Sequence, residues 1–393
     1  MTGTQKASCR QPMAGLKKLL IIVDWFVPGF KAGGPIQSCV NICIALKNEY
    51  DIYVLTTDTD HGETAPYENI ISDKWIDNDA LGVYIFYMKF KGLKPAHLAA
   101  QIAFLDADII YLNHLFAPLF VVYPLWLKFS GKIRGKVVVS PRGALYDSAL
   151  SLKSYKKKPM LKVYRWMGIH HQVTFHATNK REQEAIAKYF SGSEIIVADN
   201  LPDSNQQAFS TCTKEAGKLN CIFIARIVPI KNLLYLLEIL KKISEQVTLT
   251  VVGPVENEVY WEECKVAITQ MPGNIAVVYL GAKQKDQLAG LIKQQHLFVM
   301  PTTGENFGHS IFEALLAGRP VLISDQTPWL NLQEKAAGWD LPLAEPEKFA
   351  GVIKDLAHCD QAQFDHYAKS SWQFANHFIN NSLAKEQYLK LFQ

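Results

Sequence analysis

The stretch Pro301–Pro320, PTTGENFGHSIFEALLAGRP, decides how this chain is read. Four apolar residues, Leu297–Met300, precede it and predict a buried strand that stops at Pro301. Glu305-Asn306-Phe307-Gly308 then turns into a helix carrying Ile311, Phe312, Leu315 and Leu316, which Gly318 and Pro320 terminate. A strand, a glycine turn and a helix start point backbone N–H groups at a ligand and favour negative charge there. Glu305 and Glu313 bracket the turn with seven residues between them, one before the helix and one in its second turn. Both are placed to reach one ligand from different depths.

Outward from this stretch, the same unit recurs. Leu19–Asp24 reads as a first parallel strand, followed by a loop to Gly34 and a helix opened by Pro35. Further strands are predicted at Ile52–Thr56, Val83–Phe86, Asp108–Leu112, Lys136–Ser140, Val173–Thr178 and Ile195–Val197. A second series follows at Asn220–Ala225, Thr248–Val252, Ala276–Leu280, Leu297–Met300 and Pro320–Ile323. Near-continuous apolar strands alternating with helices indicate parallel sheets covered on both faces. The polar run Asn200–Lys218 separates the series, which gives a first domain over 1–199, a linker over 200–218 and a second domain over 219–371. The aromatic-rich tail, about 372–393, suits a terminal helix packed on the core or crossing back to the first domain. Ligands of doubly wound sheets bind outside the carboxyl ends of strands. The loops after Asp24, Leu112, Ser140, Ala225, Val252, Leu280 and Met300 are therefore the places to search.

A chain of 393 residues exceeds one typical core. Its 49% hydrophobic and 20% charged content is that of a folded soluble protein, and a net charge of +4 does not indicate nucleic-acid binding. Seven scattered cysteines without a C-x-x-C pair read as reduced thiols. Met1–Lys18 lacks the apolar core of a signal peptide, and the longest uncharged apolar run, Leu115–Leu127, is too short to span a bilayer. The expected location is cytoplasmic, with contact to the inner face of the membrane left open.

Beyond the second-series strand at Ala225, the sequence ARIVPIKN sets Arg226 and Lys231 near the next helix start. Two cations there suit a diphosphate, Arg as a fork and Lys as a point charge, or are simply solvated. Gly33-Gly34-Pro35 places flexible backbone at a helix N-terminus, as a plain turn or as a phosphate or sugar contact. Arg142, at the end of the Lys136–Ser140 strand, is a candidate for an acceptor phosphate or donor group. Asp58-Thr59-Asp60 has the letters of a metal motif, but its flanks read as a solvated loop, so no metal site is expected.

R-x4-K, then E-x7-E around an N-F-G turn, each after a strand of the second series, resembles glycosyltransferase family 4. Gly33-Gly34, Leu280-Gly281, Ala317-Gly318-Arg319-Pro320-Val321, Pro328-Trp329 and Gly338-Trp339 add to the likeness, which is densest from Leu219 to Leu341. The resemblance implies the GT-B fold, two Rossmann-like doubly wound domains facing a central cleft. It implies retaining, metal-independent transfer of a sugar from a UDP-, GDP- or ADP-sugar, with no cofactor. Arg226 and Lys231 would hold the donor diphosphate, and Glu313 would accept hydrogen bonds from the ribose. Glu305 would lie beside the donor sugar, with the amides of Asn306, Phe307, Gly308 and His309 at its hydroxyls. His309 would read a sugar substituent or only cap the helix, and His114 lies where the family has a polar residue near the transferred sugar. Ala225, Asn232, Gly253-Pro254 and Asn200-Leu201-Pro202 depart from the family pattern without removing a charged group.

The segment Lys153–Arg165 holds Lys153, Lys156, Lys157, Lys158, Lys162 and Arg165 and no acid. It fits anionic lipid headgroups, a polyprenyl-diphosphate-linked acceptor, or a solvated basic face. With it, the resemblance suggests a glycan or lipid-linked acceptor of bacterial cell-surface polysaccharide or lipopolysaccharide synthesis, and no nucleic-acid partner. The rival readings are a nucleotide-sugar epimerase or sugar phosphorylase on the same fold, and a non-catalytic sugar-binding protein.

Overall fold

The computed structural model describes residues 15–151, 154–203 and 208–393. Cys9, Lys153 and the linker positions Asn205, Gln206 and Gln207 lie outside the described residues. The chain divides into two compact units, one ending at Leu201 and taking in Leu383–Gln393, the other Pro202–Ser382.

The first unit is built on strands β1 (Lys18–Ile22), β2 (Asp51–Thr57), β3 (Trp75–Asn78), β4 (Val83–Met88), β5 (Ile109–Asn113), β6 (Lys136–Ser140), β7 (Thr174–Ala177) and β8 (Glu194–Val197). Its helices are α1 (Gly34–Leu46), α2 (Pro95–Leu105), α3 (Tyr123–Phe129), α4 (Asp147–Ser151), α5 (Ser154–Trp166) and α6 (Lys180–Tyr189). The sheet order is β3-β4-β2-β1-β5-β6-β7-β8, parallel except for the β3–β4 pair. Side chains alternate between two cores. Leu20, Ile22, Ile110, Leu112, Val137 and Val139 face one way, onto α2, α3 and α5. Leu19, Ile21, Ile109, Tyr111 and Val138 face the other, onto α1 and the chain's last helix. With both faces covered, the strands lose the polar alternation of a half-exposed sheet.

The second unit has strands β9 (Lys218–Ile224), β10 (Gln246–Val252), β11 (Ile275–Tyr279), β12 (Leu297–Met300), β13 (Val321–Ser324) and β14 (Gly338–Leu341). Helices α7 (Leu233–Leu240), α8 (Glu258–Thr269), α9 (Lys285–Lys293), α10 (His309–Leu316), α11 (Pro346–His358) and α12 (Gln361–Asn380) surround them. The order β11-β10-β9-β12-β13-β14 is parallel throughout. The last helix, α13 (Ala384–Leu391), belongs to the first unit. There Tyr388, Leu391 and the following Phe392 are fully buried, each worth about 1.5–3 kcal/mol of transfer free energy.

Three expectations need correction. The returning segment is shorter than 372–393, because α12 stays in the second unit with Phe364, Ala368, Ser371 and Ala375 buried in its core. The expected 200–218 linker is divided between the two units after Leu201, and its Lys214 is tied into the second. The Lys214 amide donates to Gln361 Oε1 at 2.7 Å, and its ammonium donates to the carbonyls of Ala357 and Cys359 at 2.9 and 3.2 Å. Asp58 and Asp60 are buried, not solvated: Asp60 accepts from the amides of Phe30 and Lys31, and Asp58 from Ser72 and the Phe90 amide. Their polar flanks hid this, since buried carboxylates can be satisfied by backbone N–H groups far along the chain.

Candidate functional site

Between β9 and β12 the strand order of the second sheet reverses, since β9 leads outward to β10 on one side and β12 to β13 on the other. A crevice opens at the carboxyl ends of such a strand pair. Two loops meet there. The loop after β9 passes Arg226 and closes in a turn, Pro229–Lys231, before α7. The loop after β12 is stitched to it, as the Thr303 amide and the Thr302 hydroxyl both donate to the Ile230 carbonyl at 2.8 Å. This stitching brings Lys231 against Glu305 in a direct ion pair, with the side chains only 14% and 17% exposed.

The pair sets the electrostatics of the crevice. Burial alone would raise the Glu305 carboxyl, but the Lys231 ammonium, the Asn306 amide and the charge of His309 together hold it below its ordinary value. Gly308 makes the turn possible. It sits at φ 79 as the cap of α10, and a Cβ there would meet Ile311 Cδ1 at 2.7 Å. Phe307 is buried against Phe312, Trp329 and Phe378, and its carbonyl accepts from the Trp329 indole, so its side chain anchors the turn from the core. The Asn306 amide, expected at a sugar hydroxyl, donates to Glu305 Oε1 at 3.0 Å instead. Arg226 forms an ion pair with Glu256 at 2.6 Å. Glu256 is a site residue the sequence motifs do not signal, although it lies in the loop after the Val252 strand end.

Glu313 does not share a group with Glu305. It is half-buried beside Lys285 and Asp203, which pair with each other at 2.6 Å. Burial pushes its carboxyl up to about 7, with Lys285 working against the shift and Asp203 adding to it. Burial thus works against the ionised acceptor expected of Glu313. Nothing in the spacing of these residues signalled the environment, because Asp203 and Lys285 lie far away along the chain.

The first sheet reverses between β1 and β5. Gly33, at φ 68, caps α1 just before Gly34 opens it, and Asp60 holds the preceding loop through the Phe30 and Lys31 amides. His114 lies beyond β5 at φ 107, a conformation rare for a residue with a side chain. Its Nδ1 accepts from the Phe116 amide at 3.2 Å, which places the neutral ring's proton on Nε2. Asp24 lies two residues past the end of β1, the neighbouring strand in the sheet. Burial pushes the Asp24 carboxyl up to about 6 against the pull of its own amide N–H.

Arg142 does not present itself to a ligand as expected. Its Nε donates to Asn113 at 2.8 Å, one Nη to the Tyr111 hydroxyl at 2.8 Å and the other to Asn200. Tyr388 of α13 lies beside it, so its guanidinium is a structural tie. Among the described residues, no three His, Cys, Asp or Glu side chains converge as a metal site.

Residues 218–358 match the family model described as Glycosyl transferases group 1. All the matched residues lie in the second unit and include Arg226, Lys231, Glu305 and Glu313. A glycosyltransferase of Methanocaldococcus jannaschii, itself described as uncharacterized, is 28% identical over 174 residues. That stretch is 43% of this chain, and the chain spans 40% of that relative's length. HepE of Anabaena, solved with UDP-glucose, aligns over 95% of this chain and 99% of its own, at 17% identity and TM-score 0.69. Sucrose-phosphate synthase of Thermosynechococcus elongatus aligns over 96% and 98%, at 14% identity and TM-score 0.69. WaaG, described as a glycosyltransferase of lipopolysaccharide biosynthesis, aligns over 95% and 98%, at 12% identity and TM-score 0.61. The fold is GT-B.

Proposed function

We propose that the protein is a glycosyltransferase that moves a sugar from a nucleotide diphosphate sugar to an acceptor with retention at the anomeric carbon. The observation that carries this is the Lys231–Glu305 pair with the Gly308 turn at the β9/β12 crevice. A donor diphosphate beside Arg226 would compete with Glu305 for Lys231, adding positive charge where the leaving group gains negative charge. The freed Glu305 and the start of α10 would then face the sugar, and Glu313 would take the ribose hydroxyls once ionised. In the transfer, the bond from anomeric carbon to phosphate oxygen breaks and the bond to the acceptor oxygen forms on the same face. The acceptor proton passes to the departing diphosphate. Neither step requires a metal.

Support comes from the match of residues 218–358 and from HepE, whose structure was solved with UDP-glucose. We take the acceptor to be a lipid-linked or polysaccharide intermediate of bacterial surface-glycan synthesis, and the site of action to be the inner face of the cytoplasmic membrane. A thermal-shift panel of UDP-, GDP- and ADP-sugars tests the donor. One nucleotide class should stabilise the protein, by about 2.7 kcal/mol at a hundredfold excess over Kd. Epimerised donor formed without any acceptor would sink the transferase reading.

A further inference from the structure

On one face of the first sheet, α2, α3 and α5 form a layer whose inner residues Leu98, Ile102, Leu125, Leu161 and Tyr164 share a single core. Its outer side is unusual. Trp166 is 86% exposed, Phe104 75% and Tyr155 71%, with Val163, Trp126 and Phe129 also exposed. Residues 89–166, which span these helices, hold fourteen Lys or Arg against three Asp, whereas the whole chain holds 41 against 37 acids. Among the described residues, none of Lys132, Arg134, Lys156, Lys158, Lys162 and Arg165 is in an ion pair. Lys132 stands over the Trp126 ring at 5.2 Å and Lys156 over the Tyr155 ring at 5.6 Å.

A solvated basic face explains the cations but not three large aromatic residues held out in water. A membrane interface accounts for both: ammonium and guanidinium groups meet lipid phosphates, while Trp, Tyr and Phe sit at the headgroup level. On α5 the buried positions Leu161 and Tyr164 alternate with exposed Lys158, Lys162, Val163, Arg165 and Trp166. That is the pattern of a helix lying in an interface plane. No described helix is long and apolar enough to cross a membrane, so the contact is with its surface. We propose that the outer side of the α2–α3–α5 layer docks on an anionic lipid bilayer, with α5 as its principal contact. The docking gives the proposed lipid-borne acceptor a surface to be taken from, yet needs none of the donor-crevice residues.

The test uses the full chain and vesicles of phosphatidylcholine alone or with about 30 mol% phosphatidylglycerol, at about 0.1 M salt. The protein should sediment with the anionic vesicles and not with the neutral ones. The variant K156Q/K158Q/K162Q/R165Q should lose about fivefold in partition per charge, several hundredfold in all. The variant F104S/W166S should also bind more weakly, through apolar contact that high salt does not screen. Both variants should keep the melting temperature and any thermal shift with UDP-glucose, since the altered side chains are exposed and outside the donor crevice. Absence of a thermal shift with every nucleotide sugar in the unaltered protein would count against the donor reading and leave the docking result standing. Failure of the unaltered protein to bind either vesicle would overturn the proposal, as would equal binding to both. So would capture of an oligonucleotide without vesicle binding, which would mark a nucleic-acid surface.

Discussion

Replacing Lys231 by alanine separates what the pair does for the fold from what it does for chemistry. In the unaltered protein Lys231 is the largest influence keeping Glu305 ionised against burial. Removing one partner of a buried pair costs about 3–5 kcal/mol, because the other charge is stranded. With the two side chains 14% and 17% exposed, water relieves part of that, leaving about 2–4 kcal/mol, or roughly 5–15 °C in the melting of this unit. The pH dependence should invert. A lowered Glu305 pKa stabilises the unaltered fold above the unfolded pKa, and that contribution is lost as pH falls through the folded value. Without Lys231, burial dominates and raises the folded pKa, so the variant is favoured at low pH and loses stability as pH rises. Melting curves from about pH 3 to 8 read both slopes, the parent's below the unfolded carboxylate pKa and the variant's above it. Adding Glu305→Gln to Lys231→Ala should restore most of the stability, since no charge is left buried, while transfer stays about 2–4 kcal/mol slower in barrier terms. The same pH slope in variant and parent, or a double variant that regains activity, would refute the reasoning.

Two further outcomes follow from the same crevice. Glu313 must lose its proton to accept from ribose hydroxyls, so nucleotide affinity should rise with pH through about 7, by up to tenfold per unit below that value. Glu313→Gln should flatten this profile in calorimetric titration with the fold intact, and an unchanged slope would count against the contact. Gly308→Ala places a Cβ at 2.7 Å from Ile311 Cδ1 on a backbone at φ 79, which should cost about 1–3 kcal/mol and weaken donor binding. A variant as stable and as tight as its parent would show that the turn does not need glycine.

Twelve strand positions were legible because a sheet covered on both faces leaves near-continuous apolar runs. The two missed strands lack that signature. β3 lies at the sheet edge, pairs antiparallel and reads Trp-Ile-Asp-Asn, while β14 is a four-residue edge strand opening with glycine. The crevice residues were legible in kind but not in partnership. R-x4-K and E-x7-E mark which charges follow which strands, yet whether Lys231 meets Glu305 depends on how the Thr302 and Thr303 bonds to Ile230 stitch the loops. Arg142 shows the limit most sharply. A strand-end arginine in a glycine turn reads as a ligand group, and only the fold reveals Asn113, Tyr111 and Asn200 on its donors. The Gly143 amide beside it is held at 2.5 Å by Glu182, which also accepts from Thr178. A fully buried carboxylate thus fixes this loop at the carboxyl end of the sheet, as Asp60 fixes the one before Gly33. Glu182 belongs to no motif, and Asp60 carries only the letters of a metal motif while its oxygens bind backbone, so neither role is read from the sequence. Together they hold the loops that carry Arg142 and lead to Gly33.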